Sequence, residues 1–141
     1  VVQSRTSFDA FALQVRFGRD EVGLHLRDMM QISSILDCFA PIAKPLYITD
    51  VEVPSKNGKG KSDVELAGVW HRRWDQAHQG QWLERFYKIA MSKPFVEAVN
   101  YGCLADGDGG AIGNSGLLNH EFEPKESLEI LGKLHLSVLR K

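Results

Sequence analysis

Three apolar runs alternate with three stretches of helical spacing along this chain. The first run, residues 8–17, carries polar positions at Gln14 and Arg16 and stops at Gly18, which predicts a buried strand. After a charged loop, Asp28 offers an N-cap, and Met29, Ile32, Leu36 and Phe39 recur at helical spacing until Pro41. A second strand is predicted over 46–53, a second helix over 76–92 with Trp82, Phe86, Ile89 and Ala90 on one stripe, and a third strand over 95–101. A glycine-rich loop over 102–116 then leads to a last helix opened by Pro124. Glu126 and Glu129 stand in its early turns, Arg140 and Lys141 at its end, and Leu128, Leu131, Leu134 and Val138 supply its buried face.

Strand–helix alternation implies an α/β fold with a parallel sheet and right-handed crossovers, so the C-terminal ends of all three strands open onto one side. Gln14, Arg16, Asp50, Glu52 and Asn100 are expected to converge there. Three parallel strands leave two unpaired edges, and a closed eight-stranded barrel takes about 250 residues. The 141 residues here therefore predict that a homo-oligomer, or the remaining part of a barrel, covers those edges.

The stretch from Pro45 to Pro54 carries the clearest chemistry, because an apolar strand runs into two carboxylates, Asp50 and Glu52, before a proline stops it. Alternate strand residues share a face, and acids at the C-terminal ends of parallel strands lie where such folds build their sites. The pair is a catalytic candidate; the competing reading is a buried ion pair with Arg16.

Composition narrows the partners. The chain is 43% hydrophobic and 25% charged, with a formal net charge of -1, which suits one globular core and gives no basic footprint for nucleic acid or an anionic membrane. No apolar stretch approaches a membrane span. The start, Val1 to Ser7, lacks an initiator Met and a signal pattern, which suggests a piece of a longer polypeptide. Cys38 and Cys103 show no C-x-x-C spacing and read as buried or semi-buried thiols rather than a disulfide. His71 and His78 have no third ligand for zinc, and the run from Asp106 to Gly110 lacks the later ligands of a calcium loop, so neither a metal nor a cofactor is expected.

The order of these runs resembles the C-terminal part of glycoside hydrolase family 10, the endo-β-1,4-xylanase family. Asp9-Ala-Phe-Ala-Leu-Gln14-Val-Arg16 is similar to that family's Asp-(Gly)-x-x-x-Gln-x-His pattern on strand six. Thr49-Asp50-Val-Glu52 is similar to its Thr-Glu-x-Asp nucleophile segment on strand seven, and Tyr101-Gly102-Cys-Leu-Ala-Asp106 to its Trp-Gly-x-x-Asp pattern on strand eight. The approach through Tyr87 to Val99 and the exit through Leu117, Leu118 and Glu123-Pro124-Lys125 fit the same order. The departures fall on functional positions. Asp50 stands for the nucleophile Glu, Glu52 for the neighbouring Asp, Arg16 for the His and Tyr101 for the Trp.

The resemblance implies a partial (β/α)8 TIM barrel, three consecutive βα units corresponding to strands six to eight, with the whole chain, 1–141, as the C-terminal part of the catalytic barrel. It implies hydrolysis of a β-1,4-linked plant polysaccharide such as xylan by a retaining mechanism, with this chain supplying the nucleophile side, and it suggests a secreted or extracytoplasmic setting. Asp50 and Glu52 would be catalytic. Gln14, Arg16, Tyr101 and the aromatic pair Trp70 and Trp74 would contact polysaccharide or oligosaccharide; the competing reading of the pair is that one Trp packs against the following helix and the other is partly exposed. The two acids share one strand and cannot be the opposed pair of a retaining enzyme, whose acid/base the family places on strand four. The alternative is a divergent, non-catalytic carbohydrate-binding or interaction domain.

Overall fold

A computed structural model describes residues 7–57, 63–107 and 110–139. Its elements run β1 (Phe11–Arg16), α1 (Met29–Asp37), a 3-10 turn (Ala40–Ile42), β2 (Leu46–Glu52), α2 (Asp63–Leu66), α3 (Gln76–Met91), β3 (Val96–Tyr101) and α4 (Glu126–Leu139). The strands form one parallel sheet in the order β1-β2-β3. The three predicted strand–helix units are therefore present, with β1 starting three residues later than expected and α2 unforeseen. The expected helix-end residues Arg140 and Lys141 lie outside the described residues.

α1 begins where the sequence offers a cap. The Asp28 carboxylate accepts from the Gln31 backbone N–H at 2.8 Å, and the Gln31 side chain accepts from the Asp28 N–H at 3.2 Å. α3 begins the same way, with the Asp75 carboxylate accepting from the His78 N–H at 2.7 Å. Helices α1 and α3 cover one face of the sheet. Val15, Phe17, Leu46, Ile48, Val51 and Val53 from the strands pack there with Ile32, Leu36, Leu83, Trp82 and Phe86. The rings of Trp82 and Phe86 stack at 5.1 Å. α4 comes close to α3 at Gly80, where a Cβ would stand 2.6 Å from Ile130 Cδ1 and require that side chain to move.

Among the described residues no helix covers the opposite face. Ala12, Gln14 and Asn100 are exposed on it, and Tyr47 is 40% exposed. In β2 the alternation slips. Leu13 pairs with Ile48 but Gln14 pairs with Asp50, so Thr49 is an extra residue on β2, a β-bulge. Ile48 and Val51 both enter the helix-covered core, which a regular strand of that spacing forbids. Strict alternation would place Asp50 and Glu52 with Leu46 and Ile48 under the helices; the bulge turns both acids to the bare side.

One bare face and two free edges lead to the first expected outcome: in solution the chain associates, with itself or with further βα units. Light scattering coupled to size exclusion checks this, and a stable monomer would refute it. A second concerns the α3 cap. The His78 N–H holds the Asp75 carboxyl below the usual carboxylate range against the opposing effect of burial, with a lesser contribution from Arg72. A depressed folded-state value adds stability above the ordinary carboxylate range and loses it as pH falls through the folded value. Asp75→Ala should therefore cost about 1 kcal/mol at neutral pH, with the deficit shrinking in acid, as measured by urea unfolding at pH 7 and pH 3.

Candidate active site

At the C-terminal ends of β1 and β2, four predicted residues meet. Gln14 Nε2 donates to Asp50 Oδ2 at 3.0 Å. Arg16 lies between the acids, its Nη2 3.3 Å from Asp50 Oδ1 and its Nε 3.4 Å from Glu52 Oε1. The ion pair expected as the competing reading thus exists, with Arg16 serving both carboxylates. The two acids nevertheless occupy different environments.

Asp50 keeps a side-chain exposure of 24%, and its described partners are Gln14 and Arg16 alone. Glu52 is 2% exposed. Its Oε2 accepts from the Ile112 backbone N–H at 3.1 Å and from Ser115 Oγ at 3.0 Å, so the glycine-rich loop closes over it. A buried charge is tolerated only when paired and hydrogen-bonded, and this one is both. The geometry leaves Asp50 open to a ligand and commits Glu52 to the loop. Gly102 makes room for both acids: a Cβ there would stand 2.8 Å from Glu52 Oε1 and 3.3 Å from Asp50 Cβ.

Tyr101 faces the other way. Its hydroxyl donates to the Ser115 carbonyl, and burial pushes its pKa well above the ordinary value. Gln79, fully buried on α3, reaches the same carbonyl at 3.1 Å and the Val53 carbonyl at 2.9 Å. A further buried group, Lys125, donates to Asp106 Oδ1 at 2.7 Å and to Ser55 Oγ at 2.9 Å, while Asp106 Oδ1 also accepts from the Gly116 N–H at 2.9 Å. Sequence reading missed Gln79 and Ser115 altogether. Lys125 and Asp106 were visible only as parts of family-like runs, with nothing to signal that they pair.

Trp70 and Trp74 are not brought to Asp50. They are 5% and 4% exposed and enclose His78, with ring centroids 4.9 and 5.4 Å from its imidazole. The Arg85 guanidinium lies 4.9 Å over the Trp70 ring. Neither offers a broad open face to a sugar. The physical reason is core packing: both indoles belong to the buried apolar cluster and lie against His78 of α3. Among the described residues no cluster of three His, Cys, Asp or Glu side chains is placed to hold a metal.

No family model matches the chain, and no curated protein matches it. Solved structures do. The native xylanase 10B from Thermotoga maritima superposes with a TM-score of 0.68 at 16% identity, covering 99% of this chain and 40% of that one. The β-glucuronidase from Faecalibacterium prausnitzii gives 0.67 at 15% identity, over 92% of this chain and 22% of that one. That from Bifidobacterium dentium, complexed with coumarin-3-O-glucuronide, gives 0.62 at 15% identity, over 89% and 20%. The chain has the fold of part of a TIM barrel of the kind found in glycoside hydrolases. It spans between a fifth and two fifths of the length of these structures.

Gly102→Ala is expected to push the two carboxylates out of place. Overpacking of this kind costs about 1–3 kcal/mol. A lower urea midpoint, with the backbone amide signals of Ile112 and Ser115 displaced in NMR spectra, checks it; Gly102→Ala with unchanged signals would count against the tight approach.

Proposed function

We propose that this chain is the nucleophile-side part of a glycoside hydrolase barrel, strands six to eight, acting on a β-1,4-linked plant polysaccharide such as xylan by a retaining mechanism. Asp50 is the nucleophile, and Glu52 supports it by holding Arg16 and the loop. The observation that carries the reading is the contrast between the acids: Asp50 keeps 24% of its side chain exposed at the strand end, whereas Glu52 is 2% exposed and held beneath the loop. Gln14 and Arg16 orient Asp50 and reach substrate hydroxyls. At the Asp50 site the aromatic pair Trp70 and Trp74 contributes only through its buried support of the loops.

A retaining reaction needs a second carboxyl about 5–5.5 Å from the nucleophile, on the other side of the scissile bond. Asp50 and Glu52 lie on one face of one strand, so that acid/base comes from outside this chain. In the proposed step the Asp50 carboxylate attacks the anomeric carbon as the acid protonates the leaving oxygen. Water, deprotonated by the same group, then releases the glycosyl ester. Asp is one methylene shorter than Glu, and misplacement on the order of 1 Å can cost about 10²-fold in rate.

The second reading, a divergent carbohydrate-binding or interaction domain without catalysis, draws on Arg16, which grips the same carboxylate that would attack.

The chain alone is expected to show no turnover of unactivated xylo-oligosaccharides, because unassisted leaving-group departure forgoes about 10²–10⁴-fold of general acid catalysis. Turnover abolished by Asp50→Ala would contradict this. In the complete barrel, Asp50→Glu should raise activity about 10²-fold at most, and Asp50→Asn should abolish it. Glu52→Gln should lower activity less while reducing stability. A fluorosugar inactivator located by peptide mass spectrometry on Glu52, with Asp50→Asn still active, would overturn the assignment.

A further inference from the structure

A second polar cleft lies among the loops that follow the strands. It has a volume of about 470 Å³, and none of Gln14, Arg16, Asp50 or Glu52 lines it. Its floor belongs to the buried network already described, in which Lys125 joins Ser55 and Asp106 and the Asn114 carbonyl accepts from the Ser55 hydroxyl at 2.7 Å. These groups satisfy one another and hold the floor rigid. The rim differs: Lys56, Gln76, His120 and Glu121 line the cleft and are exposed.

The 119–123 turn that carries His120 and Glu121 is itself fixed, because Asn119 Oδ1 accepts from the Glu121 and Glu123 backbone N–H groups at 2.9 Å each. Trp74 forms part of the wall. Its indole Nε1–H is buried and has no acceptor among the described residues.

The charges around the cleft largely cancel. Lys125 is paired with Asp106 and Asp75 with Arg72, which leaves Lys56 and Glu121 as opposite exposed charges on the rim. An occupant with a net charge gains little from such a site. One with many hydroxyls meets an amide, an imidazole, an ammonium and a carboxylate beside the Trp74 wall. We propose that this cleft is a second carbohydrate site, separate from Asp50, that takes a short neutral glycan. It binds without hydrolysis, so an inactive barrel leaves the inference standing.

Titration of the full chain with xylotriose, followed by ¹H–¹⁵N NMR of the Trp74 indole and the Gln76 side-chain amide, tests it. Saturable shifts of both signals are expected. They should persist in Asp50→Asn, and affinity should fall about tenfold in Gln76→Ala/His120→Ala, the loss expected for an exposed-rim hydrogen bond or two. Absence of saturable shifts would overturn the inference, as would shifts that vanish in Asp50→Asn, which assign the sugar to the Asp50 site. Equal affinity for free glucuronate would overturn the neutral-ligand class.

Discussion

The arrangement of this protein depends on the slip in β2 at Thr49. A strand with helices on one side must send alternate residues under them, and Leu46, Ile48, Val51 and Val53 all go there. Leu46 and Ile48 are out of phase with Val51 and Val53, and only an inserted residue reconciles the two pairs. The same insertion turns Asp50 and Glu52 away from the apolar layer, where unpaired carboxylates would be costly. One irregularity thus serves both the core and the candidate site.

Beyond the strand ends, buried polar groups replace apolar packing as the source of order. Glu52 fixes the loop at Ile112 and Ser115, Gln79 and Tyr101 converge on the Ser115 carbonyl, and Lys125 ties the loop to Ser55 and Asp106. Each group is desolvated and therefore demands its partners, so the loop has few alternative placements. Gly102 and Gly116 allow the close approaches this requires; a Cβ on Gly116 would stand 2.3 Å from the Asp106 backbone nitrogen.

Much of this was legible in the sequence. Alternation at Leu13, Val15 and Phe17 and helical spacing at Trp82, Phe86 and Ala90 marked strands and helices, and Asp28 and the lysine–proline pair at 93–94 bounded two of the helices well. That Gln14, Arg16, Asp50 and Glu52 share one end of the sheet followed from parallel topology. Three things did not follow. The bulge leaves no compositional mark, since Thr49 is an ordinary strand residue. The burial of Glu52 depends on loop residues 60 and 63 positions away. Trp70 and Trp74 flank two arginines and one of them was expected to be partly exposed, yet both are buried, and the cation that matters to Trp70 is Arg85, about two and a half turns into α3. α2, four residues long, is too short to show any period.

Lys125 carries a consequence for chemical probing. Its ammonium is 2% exposed and held against Asp106, whereas Lys88 and Lys133 point largely into solvent. An amine-reactive reagent meets the exposed lysines at once but reaches Lys125 only when the loop lifts from Ser55 and Asp106. The rate at which that one amine is modified is therefore a clock for the opening of the loop, readable without any substrate.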